Sequence, residues 1–187
     1  MKKASLCALL VIAAFAATAA ELAGVKLEDK TQVESRELVL NGAGLRKRVF
    51  FNVYVIGLYL PEKKSDPAAV LALAGPKRAE IHMLRDVGAD TFTEALVEGL
   101  RKNTSDAEYQ ALEPRVQQLS AAMAELREAK KGMTISLDWT GSATQLVVNG
   151  KSAGRPIAGE DFYRALLRIW LGDKPVQDDL KKSLLGV

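Results

Sequence analysis

The sequence predicts an α+β domain with a large antiparallel β-sheet and α-helices packed on one side of it. Three observations carry this. Strand-like segments dominate the first half. Amphipathic helical segments fill the middle and the C-terminal end. Asn149-Gly150 lies between two alternating runs in the second half. Strands and helices segregated in this way indicate α+β rather than alternating βαβ units, and an Asn-Gly pair in that setting is a strong hairpin signal.

Residues 25–33 and 37–40 alternate partially and read as short strands. Asn41-Gly42-Ala43-Gly44 reads as a turn, because glycine takes positive φ freely. Residues 48–60 are rich in Val, Phe, Tyr and Ile and form a long strand stopped by Pro61. Both faces of that strand are largely apolar, so it is expected in the middle of the sheet, covered on both sides. A connector follows, with a short helix over 67–74, and then a strand over 78–85. Thr91-Phe92-Thr93-Glu94 has capping-box spacing and starts a helix that runs to about Lys102. Phe92, Ala95, Leu96, Gly99 and Leu100 share one face of it. Ser105-Asp106-Ala107-Glu108 opens a second helical region that reaches Lys131, with a break or kink near Pro114. Residues 133–139 and 144–148 alternate as strands, and a further strand follows the Asn149-Gly150 turn over 151–157. A helix over 160–171 places Phe162, Ala165, Leu166, Ile169 and Trp170 on one face and is capped by Gly172. A small helix between Val176 and Leu185 ends the chain. Repeats, low-complexity tracts and domain linkers are not evident.

Residues 1–20 predict a secretory signal peptide, and residues 21–187 a single domain. Lys2 and Lys3 precede an apolar run, and Ala17-Thr18-Ala19-Ala20 supplies small residues before Glu21. The run is short for a membrane anchor, since a spanning helix needs about 20 apolar residues. This start predicts a periplasmic protein. The single cysteine, Cys7, lies inside the segment, so the mature domain is expected to lack thiols and disulfides. The chain has 26 basic and 23 acidic side chains, and removal of Lys2 and Lys3 leaves it nearly balanced. Nothing in that field points to nucleic acid, and no later stretch is long enough to span a membrane.

Conventional catalytic sets are missing. His82 is the single histidine and sits in a strand between Ile81 and Met83, where a structural role is the usual one. A His-rich metal site or a Ser-His-Asp triad has no spare residue to draw on. Gly42-Ala43-Gly44 is no phosphate loop, because a strand follows it and no lysine-serine pair does. No cofactor is expected. Arg46 remains. If the strand starts near it, Arg46, Arg48, Asn52 and Tyr54 share a parity and project to one face. A guanidinium beside a phenol in an apolar shell can hold a carboxylate or an enolate. On spacing alone, a surface arginine bonded to water or a nearby acid is the commoner outcome.

The segment Gly42-x-Gly44-x-Arg46 followed by Tyr54-x-x-Gly57-Leu58-Tyr59-Leu60 resembles the first motif of the chalcone isomerase-like family. Phe92 to Gly99 resembles the family's cavity helix. Lys131-Gly132, Asn149-Gly150, the stretch Ala165 to Gly172 and the closing Leu184-Leu185-Gly186 resemble its C-terminal half. The resemblance runs from about Gly24 to Gly186, and the secreted bacterial branch is the nearest match. It implies an open-faced sandwich with a cavity between sheet and helices. It further implies that Arg46 matches the arginine that steers substrate in the plant isomerases. Other polar positions of those enzymes are replaced: a threonine by Tyr54, a tyrosine by Phe92, an asparagine by Gly99 and a hydroxyl residue by Ile169, next to Trp170. One oriented donor at a developing oxyanion is worth about 2.7–4 kcal/mol, so these losses argue against efficient isomerisation. An arginine and a tyrosine in an apolar pocket resemble the fatty-acid-binding branch. The expected ligand is a small amphipathic acid such as a fatty acid, held by Arg46 and Tyr54 and lined by Phe92, Leu96, Gly99, Ile169 and Trp170. Two alternatives stand beside it. One is an isomerase or lyase on an enone-type substrate with Arg46 as electrophile. The other is a filled cavity in a partner-binding protein.

Overall fold

The computed structural model describes residues 20–187; residues 1–19, and with them nearly all of the expected signal peptide and Cys7, lie outside the described residues. A short hairpin of β1 (Ala20–Leu22) and β2 (Val25–Leu27) leads into β3 (Lys30–Val33), β4 (Arg36–Arg48) and β5 (Phe51–Leu60). Then come α1 (Pro67–Ala72), β6 (Lys77–Met83), β7 (Val87–Gly88), α2 (Ala89–Lys102), α3 (Asp106–Ala124) and β8 (Glu128–Ala129). The chain closes with β9 (Thr134–Trp139), β10 (Ala143–Val148), β11 (Lys151–Ala158), α4 (Glu160–Leu171) and α5 (Asp178–Leu185). The main sheet has seven strands in the order β11-β10-β9-β6-β5-β4-β3, every neighbouring pair antiparallel. The expected α+β class holds.

Register explains which residues face the helices. Ile56 pairs with Ile81, and Ile81 with Ile135; Leu58 pairs with Ala79, and Ala79 with Leu137. Directly opposed residues share a face, so these make continuous apolar rows under the helices, all buried in one core. Phe162, Ala165, Leu166 and Trp170 of α4 and Leu96 and Leu100 of α2 close that core from above. On the other face Val33, Leu38 and Tyr59 form a small second cluster, and the Tyr59 hydroxyl donates to the Glu28 carbonyl at 3.0 Å.

Several elements depart from expectation, each for a tertiary reason. Asn41-Gly42-Ala43-Gly44 is not a turn: it lies inside β4, with a bulge between Leu40 and Gly42. The glycines are there for α5. A Cβ on Gly42 would sit 2.2 Å from the Ser183 carbonyl oxygen, and one on Gly44 2.4 Å from Leu180 Cδ1. Asn41 is buried and clamps two segments. Its amide nitrogen donates to the Leu184 carbonyl at 2.7 Å and the Lys64 carbonyl at 2.9 Å, and its oxygen accepts from Lys64 N at 2.7 Å. The expected strand over 48–60 is split, since β4 ends at Arg48 and Val49-Phe50 makes the hairpin turn. Arg46 and Tyr54 therefore lie on two strands, β4 and β5, and not on one. Arg46 still faces the same way as Tyr54, because the two are cross-strand partners.

Helix α2 begins at Ala89, ahead of Thr91. Its N-cap is Gly88, with no side-chain cap bond. The backbone does the work instead, with Ala89 N donating to the Arg127 carbonyl at 3.0 Å. The helix from Ser105 is capped as expected, with Glu108 N on Ser105 Oγ at 3.2 Å. It runs through Pro114 unbroken, held by buried Tyr109, Leu112, Val116 and Leu119 on either side of the proline. It ends at Ala124 rather than Lys131, because Glu128–Ala129 turns back to pair with Val87–Gly88. Asn149-Gly150 forms the hairpin turn with positive φ at both residues, and α4 spans the expected residues.

Candidate functional site

At the end of the inner sheet face where the β4–β5 hairpin leaves the sheet, α2 and α4 diverge from the strands. They enclose a cavity of about 880 Å³, within the usual range for small-molecule sites. Arg46, Tyr54, Phe92, Leu96, Gly99, Ile169 and Trp170 all line it. They converge because the inward row of the hairpin, one stripe of α2 and the last turn of α4 meet there. Thr91 also lines the cavity. His82 does not. It projects from the other sheet face, with Nε2 2.9 Å from Glu80 Oε1. Among the described residues no cluster of side chains fits a metal ion.

The polar end is built from three side chains. Trp170 Nε1 donates to the Tyr54 hydroxyl oxygen at 3.0 Å in a buried bond. Among the described residues the Tyr54 proton finds no acceptor, so it is free to donate to a bound oxygen. Burial pushes the Tyr54 phenol up, against the smaller opposite pull of Trp170 and of nearby Arg46. The group therefore remains a donor throughout the neutral range. Arg46 Nη1 donates to the Lys47 carbonyl at 2.5 Å and lies 3.4 Å from Gln177 Oε1. Among the described residues no carboxylate pairs with it. Gln177 fixes this corner further, accepting from Lys47 N at 2.9 Å and donating to the Leu45 carbonyl at 3.2 Å. A cation without a counter-ion beside a free phenol proton is an anion receptor, and charge-assisted bonds are about twice as strong as neutral ones.

Val53, Ile81, Ile135, Leu137 and Met123 join the residues above as an apolar part of the wall, and charged side chains from other segments also line the cavity. Gly99 has a second role, because a Cβ there would lie 2.8 Å from Ile169 Cγ2. Glycine lets α2 approach α4. The space is open rather than filled by Tyr54, Phe92 and Trp170. Sequence reasoning missed Gln177, which bonds the Arg46 corner, and the cations Arg85, Lys102 and Lys174, which line the cavity. They come from three segments with no motif between them.

The family follows from a comparison of the sequence. A family model described as chalcone isomerase-like matches residues 19–186. The chain belongs to the chalcone isomerase-like family. Its fold is similar to that of the Arabidopsis thaliana fatty-acid binding protein seen in a crystal structure. The TM-score is 0.69 at 14% identity, covering 87% of this chain and 92% of that one. A search of the curated proteins finds no match. Among the described residues of this chalcone isomerase-like chain, no helix is long and apolar enough to cross a membrane.

The buried tyrosines set a pH limit on the domain. Burial raises the Tyr54, Tyr59 and Tyr163 phenols above their ordinary value. Their neutral form is favoured in the folded state, so the stability they contribute is complete below the unfolded pKa of about 10 and is lost as pH rises through the folded values. The melting temperature is expected to be insensitive to these groups at neutral pH. It should fall steeply above about pH 10, as read by circular dichroism.

Proposed function

We propose that this protein binds a small amphipathic acid of the fatty-acid type in the cavity, without efficient turnover. The observation that carries this is the unpaired Arg46 guanidinium beside the Tyr54 hydroxyl, at the polar corner of a cavity with a large apolar wall. The carboxylate would bridge Arg46 and Tyr54, and the acyl chain would lie along Phe92, Leu96 and Ile169. The likeness to a plant fatty-acid binding protein supports the ligand class. Phe92, Gly99 and Ile169 offer the cavity no polar side-chain atom, which favours binding over isomerisation. The basic, apolar and small-residue pattern of residues 1–20 supports export to the periplasm.

Affinity should rise with chain length by about 0.8 kcal/mol per methylene buried, roughly fourfold each, until the cavity is full. Trp170 bonds the phenol that meets the carboxylate, so its fluorescence reports the titration. A series of saturated acids that binds with no length dependence would contradict the apolar placement of the chain.

A further inference from the structure

The tip of the β4–β5 hairpin carries an exposed apolar and basic surface that the cavity does not account for. Val49 is 80% exposed, Phe50 92% and Phe51 57%. Lys47 and Arg48 flank them in sequence, and the Arg85 guanidinium lies 4.4 Å from the centre of the Phe51 ring. Among the described residues none of these three cations forms an ion pair. Beyond Tyr54, which pairs with Met83, and Val53, whose carbonyl accepts from Leu84 N, no third strand supports the hairpin. It projects past the sheet as a two-stranded ribbon. Arg48, Val49 and Phe51 also line the cavity, so the ribbon forms part of its wall.

The turn chemistry shows that folding alone does not require these residues. Val49 at the turn has φ +56, a backbone conformation that favours glycine. A β-branched residue at positive φ is strained. The other two-residue hairpin loops are Ala23-Gly24, Glu34-Ser35 and Asn149-Gly150, all small or polar. This loop alone sets a valine and a phenylalanine at its tip, facing water. Exposed apolar clusters of this kind mark interaction sites.

We propose that the β4–β5 hairpin docks on a bilayer surface bearing anionic headgroups, with Val49 and Phe50 inserted at the interface and Lys47, Arg48 and Arg85 against the headgroups. Charge complementarity selects this occupant. Amphipathic surface elements bind membranes through a small apolar insertion plus basic side chains, and each basic residue contributes at short range in a salt-sensitive way. The acids lining the cavity, Asp86, Glu94 and Glu98, come from α2 and the segment before it. Asp86 accepts from Lys131 N at 2.7 Å, and Glu98 is paired to Lys102. Docked this way, the cavity would exchange an amphipathic ligand with the lipid beside it. That consequence rests on the acid-binding reading, whereas the docking itself does not.

Flotation of the purified protein with phosphatidylcholine vesicles, with and without phosphatidylglycerol, tests the proposal. Binding is expected with phosphatidylglycerol only, weakened by high salt. Phe50→Ser should abolish it while leaving affinity for a soluble fatty acid unchanged. Lys47→Gln and Arg48→Gln should each lower partitioning about fivefold. Val49→Gly with Phe50→Ser should lose vesicle binding while holding or raising the melting temperature, which separates docking from folding. Absence of flotation with anionic vesicles, or flotation undiminished in these variants, overturns the proposal and leaves the tip to a protein partner. Acid binding is read separately, so failure of one reading is distinguishable from failure of the other.

Discussion

Arg46→Ala is expected to weaken binding of a fatty acid by about 2 kcal/mol or more, roughly thirtyfold in Kd, while leaving the fold intact. The reason lies in what Arg46 does when the cavity holds no acid. Its bonds among the described residues go to the Lys47 carbonyl and the Gln177 side chain, and neither is a counter-ion. Removing it therefore costs the domain little, about 0.5 kcal/mol or less. It deletes the cation that lies beside the Tyr54 hydroxyl at the half-buried polar corner. Arg46→Lys keeps the charge and loses the planar fork that matches a carboxylate, so it should fall between wild type and alanine. Tyr54→Phe should cost about 1 kcal/mol of affinity, and it also leaves the Trp170 N–H without its acceptor. Calorimetric titration checks the affinities, and thermal unfolding checks that folding is preserved.

Asp138→Ala is expected to destabilise the domain by about 3 kcal/mol, the lower end for breaking a buried ion pair. Arg78 and Asp138 are register partners on β6 and β9. Arg78 Nε donates to Asp138 Oδ1 at 2.7 Å and Nη2 to Oδ2 at 2.6 Å, with side-chain exposures of 15% and 6%. That bidentate bond holds the guanidinium firmly protonated. Burial pushes the Asp138 carboxyl up, and Arg78 pulls against it. Without Asp138, Arg78 retains Thr31 at 2.8 Å and Glu80 at 3.6 Å, which is why the loss falls at the low end. For a domain of this size the melting temperature should drop by roughly 6–12 °C. Arg78→Met combined with Asp138→Leu should recover most of it, because the damage comes from the orphaned charge rather than from the absent pair. The site lies on the sheet face away from the cavity, so affinity for the acid should not change.

These two sites show how far the sequence reaches. Elements set by local chemistry are legible: the Ser105 cap, the Asn149-Gly150 turn, and the α4 stripe ending at Gly172 are specified within a few residues. Elements set by contacts across the fold are not. Gly42 and Gly44 read as turn glycines, yet they are required by the approach of α5 from more than a hundred residues away. The same residue type satisfies both needs, so composition does not separate them. The Thr91-Glu94 capping box loses to a backbone bond from Ala89 to Arg127, far along the chain. At the cavity, helical stripes and cross-strand pairing place the seven expected residues together, with Arg46 and Tyr54 joined across β4 and β5 and not along one strand. Gln177 and the lining cations Arg85, Lys102 and Lys174 carry no pattern, because three separate segments supply them.

The most direct test of the central claim is native mass spectrometry of the protein purified without denaturant, followed by extraction of whatever is bound. A mass increment matching an amphipathic acid is expected in the wild type, absent in Arg46→Ala prepared in the same way. A wild-type protein that stays empty when offered fatty acids, or an increment that survives Arg46→Ala, would contradict it.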